Sequence, residues 1–153
     1  MNHYTKCVLC GNPAIDFAKK SGQGSYYLEC EICGRYFFDM LSRFQYTDLS
    51  DDDKPMISAF TRDHLERNLE PPDLGLLDQK QVADIIRRYR NKPLLEKVDN
   101  LIIFLGNHSK YFGQPLKLLG EKTYPVTFST NKVEFENIKN QIKDILLFGD
   151  VVI

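Results

Sequence analysis

The chain has 153 residues, 42% of them hydrophobic and 27% charged, and a formal net charge of −1 at pH 7. That length holds one domain, or a small module beside a compact second one, and the composition is that of a globular protein. A dedicated nucleic-acid binder carries a basic excess that is missing here, and no apolar run approaches the length of a membrane span.

The stretches "CVLCG", from Cys7, and "CEICGRYFF", from Cys30, hold all four cysteines. Each is a C-x-x-C followed at once by glycine, Gly11 or Gly34. Two such pairs at this separation read as a metal site with Cys7, Cys10, Cys30 and Cys33 as ligands. The glycines fit turns that need positive φ. A disulfide framework would suit a secreted chain, but "MNHYTKCVLC" has no apolar signal region. A redox C-x-x-C would stand alone beside a βαβ pattern. Iron is chemically compatible with four thiolates, and zinc is the expected ion. Four sulfurs fill a tetrahedral zinc and leave no position for water, so the expected cofactor is a structural Zn2+. His3 reads as a solvated terminal histidine. Reduced cysteines and the missing signal region give a cytoplasmic expectation.

Between the pairs, "SGQG" is a turn signal and "SYYLEC" a β-prone run; "RYFFDM" follows the second pair. The order knuckle, hairpin, knuckle, strand resembles the zinc ribbon with rubredoxin-type knuckles, over roughly residues 4–40. A ribbon this short buries too little apolar surface to fold alone, so metal binding is expected to supply most of its stability.

"QYTDLSDDDKPM" separates the ribbon, residues 1–46, from a helical domain expected over residues 47–153. Ser50 reads as a helix cap, with Asp51 to Asp53 in the first turn and Pro55 tolerated there. The helix runs through "PMISAFTRDHLERNL", with Met56, Ile57, Phe60 and His64 or Leu65 at helical spacing, and "EPPDLG" ends it. His64 beside Asp63 and Glu66 reads as a packed or solvated side chain. Next, Asp78 is a candidate N-cap, and Val82, Ile85, Ile86 and Tyr89 form an apolar face. "RRYRNK" is the one concentrated basic stretch. Arg87, Arg88, Arg90 and Lys92 are therefore the candidate phosphate contacts, although cations at a helix C-terminus also match its dipole. "PLLEKVDNLIIFLGNHSK" carries Leu94, Leu95, Val98, Leu101, Ile102 and Leu105 in a wide stripe, which predicts the central helix of the core. A fourth helix is expected over residues 131–148, with Phe135, Ile138, Ile142, Ile145 and Leu146 inward. Gly149 stops it, and "DVVI" reads as a strand.

This succession of helices, extended piece, helix, glycine and strand over residues 93–153 resembles a winged helix. The resemblance implies a recognition helix at 131–148, whose Lys132, Glu134, Glu136, Lys139, Asn140, Lys143 and Asp144 nearly cancel in charge. Carboxylates there are repelled by phosphate. The expected fold class is α+β, a small β zinc ribbon followed by a mainly α winged-helix-like domain. The plan is similar to N-terminal modules of larger bacterial proteins. That similarity implies sensing or assembly with an unknown protein partner or with an effector domain beyond Ile153. No phosphate loop, H-E-x-x-H or G-x-S-x-G is present, so a non-catalytic binding module is expected. A nucleic-acid-binding regulator is the alternative.

Overall fold

The computed structural model describes residues 3–17 and 25–108, together with the single helical position Asn137. The expected fourth helix, the strand after it and most of the winged-helix stretch lie outside the described residues.

The fold is α+β. Four strands, β1 (His3–Lys6), β2 (Pro13–Phe17), β3 (Ser25–Cys30) and β4 (Gly34–Asp39), form one antiparallel meander in the order β1-β2-β3-β4. The pleat sorts its residues onto two faces. Register pairs Ala14 with Cys30 and Asp16 with Leu28, then Leu28 with Tyr36 and Tyr26 with Phe38. This face is the core face, and Leu28, Tyr36 and Phe38 are buried on it. The opposite face carries an aromatic row. Phe17 meets Tyr27 at 5.5 Å between ring centroids, and Tyr27 meets Phe37 at 5.0 Å.

Helix α1 (Met40–Thr47) follows β4 with no linker. The run "RYFFDM" reads as a strand throughout, but Asp39 turns the chain. Its extended backbone ends β4, and its carboxylate accepts from the Ser42 amide while the Ser42 hydroxyl accepts from the Asp39 amide. This is a capping box with serine in the place of the usual glutamate. Helix α1 faces the core with Ser42 and Tyr46, and the Tyr46 hydroxyl donates to the Leu74 carbonyl at 2.8 Å. Its apolar residues Met40, Leu41 and Phe44 point to solvent.

Helix α2 (Lys54–Glu66) begins after a turn over 51–53. Ser50 accepts the Asp53 amide with both its hydroxyl and its carbonyl, so it caps that turn, and the aspartates precede the helix instead of filling its first turn. The helix also ends before the prolines expected to break it. Asn68 takes φ 54°, the Asn68 amide donates to Leu65 and the Leu69 amide to His64. That pair of bonds is a Schellman motif with asparagine in the left-handed position. A 3-10 turn (Leu74–Leu76) leads to α3 (Gln79–Arg90), which Asp78 caps through a reciprocal bond with Gln81. Val82, Ile85 and Tyr89 are buried as the period predicts.

Helix α4 (Leu94–His108) occurs where expected, and among its described side chains the leucines of the first turn point away from the core. Leu95 is 73% exposed and Leu94 45% exposed, while Lys97 is buried. The stripe therefore does not face the core at its N-terminal end. At 3.6 residues per turn the six apolar positions share one helix face of about 120°, and Lys97 lies beside that arc. The side chains of Leu101, Ile102 and Leu105 lie outside the described set.

One continuous core runs from the sheet into the helices, from Cys7, Leu28 and Tyr36 through Ile57 and Leu74 to Val82 and Tyr89. Fully burying a side chain such as Leu28 or Ile57 contributes about 1.5–3 kcal/mol. The core therefore joins the N-terminal sheet to α2 and α3 across the 46/47 boundary.

Candidate metal centre

Each C-x-x-C occupies a tight turn. In the first, the Gly11 amide donates to the Cys7 carbonyl at 2.9 Å, the Cys7 amide donates to the Asn12 carbonyl at 2.8 Å, and Gly11 has φ 73°. In the second, Cys30 ends β3 and pairs with Gly34, at φ 82°, where β4 begins. The sheet register thus sets one knuckle beside the other. All four ligand sulfurs lie within 4.8 Å of one another, with Cys10 and Cys30 at 3.6 Å. Metal–sulfur bonds of 2.3 Å give a tetrahedron with edges of roughly 3.8 Å, so the sulfur set fits a tetrahedral ion. Among the described residues this is the one group of three or more metal-ligating side chains so arranged.

The surroundings fit the same chemistry. Cys7, Cys30 and Cys33 are buried and Cys10 is half-buried. Burial pushes the Cys33 thiol well up, and its hydrogen bond with Cys10 pushes Cys7 up. The hydrogen bond from Cys30 pulls Cys10 down. Four crowded thiols in this setting cannot all ionise alone, and a divalent cation supplies the missing compensation. Two hydroxyls face the sulfurs, Tyr36 on Cys7 and Ser58 on Cys33, each at 3.2 Å. Burial and the nearby sulfurs raise the Tyr36 phenol, so it stays protonated and can donate to Cys7 when a bound cation holds that sulfur as a thiolate. The Asn12 amide donates to Cys10 at 3.4 Å.

Helix α2 holds the second knuckle from behind. Ser58, Thr61 and Arg62 share one helix face by the i, i+3, i+4 spacing. Thr61 donates to the Cys33 carbonyl at 2.6 Å. Arg62, 3% exposed, donates to the carbonyls of Glu31 and Ile32 and pairs with Glu66 at 2.8 Å. Gly34 lies so close to α2 that a Cβ there would sit 3.3 Å from the Leu65 Cβ and the Thr61 carbonyl. Tyr36, Ser58, Thr61 and Arg62 escape the sequence reading. For the three on α2 the signal, a polar stripe flush with the apolar residues of an amphipathic helix, looks like an ordinary solvated edge.

The basic set is differently placed. Lys92 donates to Asp63 at 2.8 Å and lies 4.0 Å from the centre of the Tyr89 ring, whose hydroxyl also donates to Asp63. Arg90 pairs with Asp53, and Arg87 with Asp84 at 2.8 Å. Arg88 lies over the other reach of Tyr89, at 5.2 Å. Two of the four cations, Arg88 and Lys92, lie against the Tyr89 ring, and three of the four are matched by carboxylates. The scattered acids do not converge. Asp53 and Asp63 are taken by these cations, and Glu66 by Arg62 and Asn107. His64 contacts the Phe60 carbonyl and ring within its own helix. No helix among the described residues is long and apolar enough to cross a membrane.

A cleft of 120 Å³ between the core face and α1 is lined by Thr5, Lys6, Asp16, Phe38, Met40 and Arg43, among others. Asp16 Oδ1 is buried there without a hydrogen-bond partner among the described residues. The cleft has room for water at roughly 30 Å³ per molecule, which is the simplest partner for that oxygen.

No protein-family model, no curated protein and no solved structure matches this chain.

Proposed function

We propose that the N-terminal part of this chain is a zinc ribbon whose tetrathiolate site braces a non-catalytic interaction module. The observation that carries this reading is the closed set of four sulfurs, three of them buried, with a hydroxyl at hydrogen-bond distance from two. Four thiolates satisfy a tetrahedral zinc and leave no coordination position for substrate or water, so the site braces and does not react with substrate. Zinc is favoured over iron because nothing in a bracing role calls for electron transfer. The outward apolar residues of α1, with Leu41 82% exposed and Phe44 66% exposed, support an interaction role, since such residues grouped on one short helix mark contact surfaces.

The nucleic-acid alternative draws little from the basic set, because Arg87, Arg90 and Lys92 already face carboxylates. A steep salt slope in binding to duplex and single strands would restore it.

Metal analysis of the purified chain tests the central reading. One zinc per chain is expected, together with the visible bands of a tetrahedral tetrathiolate after exchange for cobalt(II). A chain that purifies without metal and takes up none, or one that carries iron, refutes it.

A further inference from the structure

The four sulfurs are not equivalent. Cys7 and Cys33 are buried, and each sulfur has a hydroxyl oxygen 3.2 Å away that donates to it once the sulfur is a thiolate. Such a hydrogen bond occupies a sulfur lone pair and withdraws charge, which lowers nucleophilicity. Cys30 is 2% exposed at the end of β3. Cys10 is the half-buried member of the set, on the solvent side of the first knuckle, and its extra donor is the Asn12 side-chain amide at 3.4 Å. A thiolate attacks an electrophile along the line of the bond it breaks, so the electrophile must reach the sulfur from solvent. Access singles out Cys10, whose side-chain donor, Asn12, makes the longer bond.

We propose that Cys10 is the modification site of this chain, the sulfur at which a hydroperoxide or alkylating electrophile enters. This rests on the tetrathiolate reading and deepens it. With a hydroperoxide, the Cys10 thiolate attacks one peroxide oxygen, the O–O bond breaks, and the departing alkoxide takes a proton from solvent to leave as an alcohol. Cys10 is now a sulfenic acid. The Cys30 sulfur lies 3.6 Å from it on the adjacent strand end. The Cys30 thiolate attacks the Cys10 sulfur, the S–O bond breaks, and hydroxide takes a proton to leave as water. Two thiolates, one hydroperoxide and two protons give one disulfide, one alcohol and one water. The product joins the two knuckles to each other instead of closing either one. It also removes two of the four ligands, which leaves Cys7 and Cys33 to hold a cation alone.

The test uses the full chain as purified, with its metal content measured first. Substoichiometric iodoacetamide followed by peptide mass spectrometry should label Cys10 about tenfold faster than Cys7 or Cys33, in line with site-selective thiol reactivity. Hydrogen peroxide should give a Cys10–Cys30 cross-link as the first disulfide, with metal released to a chelating dye in step with it. Asn12→Ala should speed labelling of Cys10. Tyr36→Phe, which leaves Cys7 buried, should not change the order. First labelling at Cys7 or Cys33, equal labelling of all four, or a first disulfide within one knuckle overturns the proposal. A chain without metal that still labels Cys10 first overturns the tetrathiolate reading but not the assignment of Cys10.

Discussion

Gly11 and Gly34 offer a controlled comparison of two ways in which a glycine can be required. Both adopt positive φ, 73° and 82°, and both follow a C-x-x-C. A Cβ at Gly11 meets nothing within 4 Å, whereas a Cβ at Gly34 meets the Leu65 Cβ and the Thr61 carbonyl at 3.3 Å. Gly11→Ala therefore carries only the left-handed backbone term, about 1–2 kcal/mol. Reduced freedom of the unfolded chain offsets about 0.4–1 kcal/mol of it. Gly34→Ala carries the same terms plus overpacking against α2, typically about 1–3 kcal/mol. The second variant should lose about 2 kcal/mol more than the first. Urea unfolding of both proteins with saturating zinc, followed by far-ultraviolet circular dichroism, measures the difference. Amide exchange in α2 should rise in Gly34→Ala and stay unchanged in Gly11→Ala. If the two variants lose the same stability, α2 is not packed on the second knuckle as described.

Ser58→Ala removes the hydroxyl facing the Cys33 sulfur, and release of zinc to a chelator should speed by about tenfold while the fold persists, as loss of an outer-shell partner does. Asp63→Ala leaves the Tyr89 hydroxyl and the 9%-exposed Lys92 ammonium without their shared acceptor, and should cost on the order of 2–3 kcal/mol by thermal melting. Burial holds the phenols of Tyr36, Tyr46 and Tyr89 above the ordinary tyrosine value. The folded chain then binds more protons than the unfolded one, so stability is full below about pH 10 and falls as pH rises past it. Urea midpoints from pH 8 to 11 should show that fall, and Tyr46→Phe should shallow it.

The four-cysteine cluster was legible because a possible metal site needs fixed spacing within each knuckle, and that spacing survives in a bare sequence. Helix α3 was legible for a similar local reason: Asp78 and Gln81 cap each other, and the apolar period follows at once. What escaped was decided at a distance. Helix α1 hid behind "RYFFDM", where aromatic residues suited to β4 run straight into the cap at Asp39. Helix α4 showed one apolar face, and the placement that buries Lys97 and exposes Leu95 depends on neighbours that no local pattern reveals. The support of the second knuckle by Arg62 joins residues about thirty positions apart, and nothing in "FTRDHLE" announces it.

The two borders of the sheet are unequal. Along β4, the Phe37 amide donates to the Pro72 carbonyl at 2.9 Å, a parallel bridge sets Phe37 beside Asp73, and the Asp39 amide is held by Ser42. Residues 72–73 thus act as a short false strand on that border. At the other border, β1 pairs among the described residues only with β2. Strand-by-strand growth needs two open borders on every copy. With one occupied, edge-to-edge joining of two copies through β1 uses up both open borders and ends there. The segment between α2 and α3 thus covers one border of the sheet, so that edge-to-edge joining through β1 would close at a pair and not propagate.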